Sequence, residues 1–404
     1  MRNASSQSIF FVLAIVALNS CKSQKQVSGS RGPDRIQDST KVARIDTIKT
    51  VEEAVDTVQI RSLISSDSTA IAIPVELKKD SITIIGVGDI MLGTNFPEAY
   101  YLPPNQGREM LTAVDLVFSE ADIVFGNLEG VLLDSGGTQK ECNNPKLCYL
   151  FRSPDYMAAR LQEAGFNLLS VANNHAGDFG SEGRINTAKV LDSLNINYAG
   201  SQVKPFTTFK INGINYGFAA FSPNKGTPSI NDLKSARATI QHLDTLVDII
   251  IVSFHGGAEG SKYTSVPREH EYLFGEDRGD VYKFAHSLID AGADVIFGHG
   301  PHVPRAIDVY KNRFIAYSLG NFATYARFNL SGVNGLAPIA KILVNNDGEF
   351  ISGQIISAIQ RGRGIPQLDP ENSAAILIKE LTKKDLPEVK ISIDEFGFIS
   401  YLHQ

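Results

Sequence analysis

Five times along this chain an apolar run of strand length ends in a ligand-type polar residue close to glycine. Residues 82–88 end at Asp89, residues 123–126 at Asn127 and Glu129, and residues 165–171 at Asn173-Asn174-His175 with Asp178 and Gly180 behind them. Residues 247–254 end at His255-Gly256-Gly257-Ala258-Glu259, and residues 293–297 at Gly298-His299-Gly300-Pro301-His302. Runs of this length bounded by glycine read as buried strands. Helix-periodic segments lie between them at residues 107–120, 154–164, 181–194 and 280–291, so strand and helix alternate and the chain is of the α/β class. In such folds the carboxyl ends of the strands carry the chemistry.

The residue types at those ends narrow that chemistry. Carboxylate, amide oxygen and imidazole form an N/O ligand set suited to Zn, Mn or Fe, and too rich in imidazole for a Ca or Mg cage. Four of the eight histidines sit at these ends. A single such His is most often a hydrogen-bonded structural residue, and an Asn-rich loop before a helix can simply cap that helix. The recurrence at five ends is what favours a metal site over those readings.

The rest of the chain sets bounds. With 404 residues, 43% hydrophobic and 20% charged, it is long enough for one large domain or two smaller ones. A net charge of −6 without a Lys/Arg cluster argues against nucleic acid as a partner. Tryptophan is absent, so an aromatic sugar platform would fall to Tyr and Phe. Residues 9–18 form an uncharged apolar stretch, short for a membrane span and suited to a signal-peptide core. It meets Ser20-Cys21, which resembles a bacterial lipobox and makes Cys21 the expected lipid-modified residue. The alternative is ordinary secretion with Cys21 removed. The expected organisation is a lipoprotein signal peptide over residues 1–21, a flexible tether over 22–80, and a folded domain over 81–404 ending in a β-rich extension. Export also favours a disulfide between Cys142 and Cys148, which bracket a Pro-containing, turn-rich segment. Hairpins are expected around Asn212-Gly213, Lys311-Asn312 and residues 345–348.

Taken in order, Gly88-Asp89-Ile90-Met91-Leu92-Gly93, Gly126-Asn127-Leu128-Glu129, Ala172-Asn173-Asn174-His175, His255-Gly256-Gly257, Gly298-His299-Gly300-Pro301-His302-Val303 and Tyr317-Ser318-Leu319-Gly320-Asn321-Phe322 resemble the CapA family of poly-γ-glutamate capsule-assembly proteins. That family is a branch of the calcineurin-like metallophosphoesterase superfamily. The resemblance covers roughly residues 82–325 and implies an α/β sandwich of two mixed sheets flanked by helices. It implies Asp89, Glu129, Asn174, His255, His299 and His302 as metal ligands and His175 as the acid, with Asp89 also in the catalytic set. Asn127, Asn173, Asp178, Glu259 and Asn321 would support the ligands or touch substrate. Met91 stands where the superfamily has a histidine, Glu129 where it has Asp, and two residues separate His299 from His302. The expected outcome is one tight transition-metal site from Glu129, Asn174, His255 and His299, with a weaker second one from Asp89 and His302. Two functions follow from the resemblance. One is a metal-dependent hydrolase or transferase acting on a phosphoester or the γ-amide of an anionic extracellular polymer, lipid-anchored in the cell envelope among other capsule-assembly membrane proteins. The other is a surface-polymer binding or assembly protein without turnover.

Overall fold

The computed structural model describes residues 80–142 and 148–402. The signal segment, Cys21 and residues 22–79 of the tether lie outside the described residues. Two sheets face each other, with helices on both outer surfaces. The first sheet runs Ile391–Ile393, Phe398–Tyr401, Phe350–Ile356, Ile339–Asn345, Ser81–Met91, Ile123–Leu128, Leu168–Ser170, Asn197–Ala199, and Asn321–Thr324 pairs with the far end of Ser81–Met91. The second runs Ile307–Tyr310, Arg313–Ala316, Val295–His299, Ile249–His255, Ile214–Phe221, Phe206–Ile211. Each sheet has a parallel centre, where Ser81–Met91, Ile123–Leu128 and Leu168–Ser170 lie side by side in one and Ile214–Phe221, Ile249–His255, Val295–His299 and Arg313–Ala316 in the other. Antiparallel strands continue one side of the first centre and both sides of the second, so both sheets are mixed.

Strand alternation explains the layers. Ile82 and Ile84 face inward, where with Phe125 they meet Phe218, Ile251 and Phe297 of the opposite sheet. The rings of Phe125 and Phe297 stack at 5.2 Å between centroids. Ile85 and Val87 point the other way, onto the helices Tyr156–Glu163 and Gly180–Ser193. On the far side, Ile250, Val252 and Phe254 receive Leu233–Asp244 and Val281–Ile289. Each of the latter two helices begins at an aspartate whose carboxylate accepts a backbone N–H three residues on, Asp232 from Ser235 and Asp280 from Lys283. No helix among the described residues is long and apolar enough to cross a membrane.

Three local expectations can be compared with the structure. The hairpin turns at Asn212-Gly213 and Lys311-Asn312 both carry positive φ at both central residues, as a two-residue connection requires. Cys142 and Cys148 are joined in a disulfide. Residues 107–120 do not form one helix: only Asp115–Phe118 is α-helical, and the rest is a string of turns. Those turns still bury Met110, Leu111, Val114 and Phe118, so the apolar spacing marked a packed face but not a continuous helix.

Candidate metal centre

The centre lies where the parallel strands of both sheets end. Asp89 and Asn127 are register partners in the first sheet, and His255 and His299 are register partners in the second. Glu129 follows just beyond its strand and becomes the hub of the site. Its Oε2 lies 3.7 Å from His255 Nδ1, and its Oε1 lies 3.9 Å from both His302 Nε2 and His175 Nε2. Asp89, Glu129 and His255 are fully buried, and each offers a ligand atom within 4.8 Å of the others.

His302 reaches this point because the loop before it folds back. Gly300 has φ 114°, and a Cβ there would lie 2.7 Å from the Gly256 carbonyl oxygen, so a side chain would prevent the two loops from closing. His302, itself left-handed at φ 58°, then places Nδ1 2.8 Å from Asp89 Oδ2 and 3.1 Å from Asn321 Oδ1. Asn127 links the two acids: its Nδ2 donates to Asp89 Oδ1 at 2.8 Å and to Glu129 Oε2 at 2.7 Å. Its Oδ1 accepts from Asn173 Nδ2, which also donates to Leu128 O. An amide is suited to this bridge because it can donate both hydrogens while its oxygen fixes its orientation.

The electrostatics show what the cluster lacks. Burial pushes Glu129 well above the usual carboxylate range, and Asp89 beside it adds to the effect. Burial drives His255 well below the usual imidazole range, assisted by the Arg278 charge. Asp89 goes the other way: burial opposes its ionisation, but the hydrogen bond and charge of His302 hold it below the ordinary range. His302, against the same burial, is raised to about 10 by Asp89. Among the described residues, Glu129 Oε1, both ring nitrogens of His255 and Asn174 Oδ1 have no hydrogen-bond partner. Buried acceptors without donors are costly unless a cation or proton meets them. A divalent metal fits this donor set in charge, ligand type and geometry.

His299 does not join the cluster. Its Nε2 lies 3.1 Å from Val87 O and its Nδ1 3.4 Å from Ser253 Oγ, with its ring edge-on to Phe125. Both nitrogens face protein groups, and burial lowers its pKa. The grouping therefore differs from the one expected: Asp89 stands in the close cluster with Glu129 and His255, and His299 ties the two sheets together beneath it. Met91 is buried at the end of its strand.

His175 is set for proton transfer. Its Nδ1 lies 2.7 Å from Asp178 Oδ2, and that same oxygen accepts the N–H of Phe151 at 2.8 Å. The ring of Phe151 lies against the imidazole at 4.2 Å between centroids. A carboxylate on Nδ1 fixes the ring and leaves Nε2 facing Glu129, the arrangement used for general acid–base work. Two contributors carried no motif in the sequence. Phe151 lies beyond the disulfide loop, and Arg278 lies in Glu276-Asp277-Arg278, which reads as a surface turn. Arg278 is 2% exposed, donates from Nε to Gly257 O and places Nη2 2.8 Å from Glu259 Oε1. A largely apolar stretch does not precede it, so periodicity could not have found it.

A two-sheet α/β sandwich with a buried carboxylate and imidazole cluster at the carboxyl ends of its strands has the build of a metal-binding α/β protein. The chain belongs to the bacterial capsule synthesis protein family PGA_cap, whose family model matches residues 83–326 and so spans every residue of the cluster. It is 28% identical over 348 residues to the capsule biosynthesis protein CapA of Bacillus anthracis, covering 78% of this chain and 79% of that protein. It is 29% identical over 260 residues to the PGA biosynthesis protein CapA of Bacillus subtilis, covering 60% of this chain and 63% of that protein, which is less than two thirds of its length. Among solved structures, the 5′-nucleotidase precursor of Thermus thermophilus matches at 13% identity with a TM-score of 0.39, over 71% of this chain and 54% of that one.

Proposed function

We propose that this chain is a cell-envelope protein of surface-polymer synthesis whose buried centre holds a divalent transition metal and hydrolyses or transfers a phosphoester or the γ-amide of an acidic polymer. One observation carries the reading: Asp89, Glu129 and His255 converge within 4.8 Å, with Glu129 Oε1 and both His255 ring nitrogens lacking a hydrogen-bond partner among the described residues. The metal, when bound, would polarise the reacting phosphoryl or carbonyl oxygen and activate water. Asp89, Glu129 and His255 would hold it, with His302 and Asn174 beside them. Asn127 keeps the two carboxylates turned inward. His175 donates a proton from Nε2 to the departing atom, while Asp178 keeps Nδ1 protonated and Phe151 restrains the ring.

The test begins with metal content of the purified protein, followed by a screen of phosphoester and γ-glutamyl substrates. His175→Asn should retain the parent's metal and lose turnover by about 10²–10⁴-fold. A protein that binds neither Zn, Mn nor Fe would overturn the reading. Met91 favours a second reading, in which the centre grips polymer without turnover, because a thioether cannot replace the imidazole that a second borderline metal would need. Polymer binding without any product in the same screen would establish that reading instead.

Export and lipid attachment at Cys21 belong to this proposal and rest on residues 9–21 of the sequence. Cys21→Ser should leave the membrane fraction and lose the mass of the acyl groups. A variant that still fractionates with membranes at unchanged mass would refute the anchor.

A further inference from the structure

Two cavities open beside the centre, and their linings are opposite in character. The first, about 460 Å³, is walled by Asn173, Asn174, Lys140, Arg184 and Lys225, with Glu276 as its single acid. The second, about 320 Å³, is walled mainly by aliphatic side chains, Val131, Val171, Ile185, Ala188 and Val203 among them, with Lys204 as its one lysine. They share Arg184, Gln202 and Gly226. The apolar one starts directly beyond the centre, because Val131 follows Glu129 by two residues and Ala176 follows His175. At its mouth stand two exposed aliphatic side chains, Ile185 at 69% and Val203 at 95%.

Among the described residues, the cations of the first cavity form no ion pair. Arg184 donates Nε to Ala176 O and Nη2 to Lys225 O, and Lys140 donates Nζ to Asn174 O. All three acceptors are neutral carbonyls, and among the described residues no carboxylate lies within ion-pair distance of Arg184, Lys140 or Lys225. The guanidinium lies between two glycines: a Cβ on Gly177 would come within 2.6 Å of it, and one on Gly226 within 2.5 Å. Backbone built this closely around an arginine fixes the charge at the junction of the two cavities.

We propose that the two cavities together bind an amphiphilic anion: a phosphate-type head among Arg184, Lys140 and Lys225 beside the centre, and an aliphatic chain in the apolar cavity. This deepens the reading of the centre as acting on an anionic ester, by naming what the ester is attached to. A polymer charged at every repeat does not fit the same path, because it would set charges against the buried Val131 and the half-buried Ala188. A single anionic head on an alkyl or prenyl chain matches the linings in order.

Calorimetric titration of the purified chain with methyl-, butyl-, hexyl- and octylphosphonate, which cannot be hydrolysed, tests this. Affinity should rise about fourfold per added methylene until the cavity is filled. Lys225→Gln and Arg184→Gln should each weaken every member of the series by a similar factor. Val203→Asp and Ile185→Asp, both exposed in the parent, should flatten the chain-length dependence, because each sets a charge beside the tail. Equal affinity for methyl- and octylphosphonate overturns the proposal, as does a slope that survives Val203→Asp and Ile185→Asp together, or octanol binding as tightly as octylphosphonate. The series repeated with chelator separates this from the metal reading, since the slope depends on the tail and persists whether or not the centre holds a metal.

Discussion

The two edges of this sandwich treat their polar side chains in opposite ways. At the amino edge, the residue immediately before each of four parallel strands turns its side chain onto a backbone N–H of the neighbouring strand. Asp122 accepts from Thr83 at 3.0 Å, Asn167 from Val124 at 2.9 Å, Asp248 from Asn215 at 2.8 Å and Asp294 from Ile250 at 2.7 Å. Each acceptor there meets a donor that the end of a ladder would otherwise leave unpaired. At the carboxyl edge, Asp89, Glu129 and His255 are fully buried, yet among the described residues Glu129 Oε1 and both His255 nitrogens have no hydrogen-bond partner. The same fold therefore satisfies its polar groups at one edge and leaves them open at the other. A chain under selection for stability alone would close both, so the open edge marks the place where binding takes over.

The largest effect should come from breaking the open edge. His255→Ala should strip metal from the protein, whereas His299→Gln, which alters a residue already bonded to Val87 O and Ser253 Oγ, should leave metal content near the parent's. Elemental analysis of the two variants decides it. Equal loss from both would return His299 to the ligand set.

A smaller effect is expected at the support beneath it. Asn127→Leu removes the donor that holds both carboxylates in place, and metal affinity should fall roughly 10–100-fold. Competition against a chromogenic chelator measures this, and an unchanged affinity would mean that the two acids hold their positions unaided.

The contrast between the edges can also be read in stability without metal. Asp122→Ala leaves the Thr83 N–H and Asn212 Nδ2 without their acceptor and should cost about 1–3 kcal/mol. Glu129→Gln, in chelator, replaces a carboxyl that burial and Asp89 keep from ionising, and should be as stable as the parent or more so. Urea unfolding of both variants gives the comparison, and a large loss for Glu129→Gln would show that the open edge is structurally satisfied after all.

The smallest effect is a pH dependence confined to the closed edge. Burial raises Asp294 to about 7, against the opposing hydrogen bond from Ile250 and the charge of Arg313. Its folded pKa is thus above the unfolded value of about 4, so the native state binds the extra proton. The stability it contributes is complete below about pH 4 and is lost as pH rises through about 7. Asp294→Asn should remove that part of the slope between pH 4 and 7 in denaturant titrations. An identical slope in parent and variant would place the titration elsewhere.

Much of this was readable in the chain itself. The apolar runs before Asp89, Glu129, His255 and His302 announced strands, and their glycine-flanked ends announced an edge where such side chains collect, because strand length and burial are local properties of sequence. Hairpin turns at Asn212-Gly213 and Lys311-Asn312 were readable for the same reason. The caps were not. Asp122, Asn167, Asp248 and Asp294 looked like ordinary residues before a strand, since their partners lie 33 to 44 positions away.

Sequence by itself determined the alternation of elements, the family motifs and the set of residues able to bind a metal, all of which follow from short-range pattern and side-chain chemistry. Only the tertiary structure decided which of them meet. It turned His299 onto Val87 O, brought His302 back 213 positions to Asp89, buried Arg278 beside Glu259, and laid a charged cavity against an apolar one at Arg184. The physical reason is that a ligand's role depends on what its second nitrogen or oxygen touches, and those contacts are made between two sheets that come together only when the chain has folded.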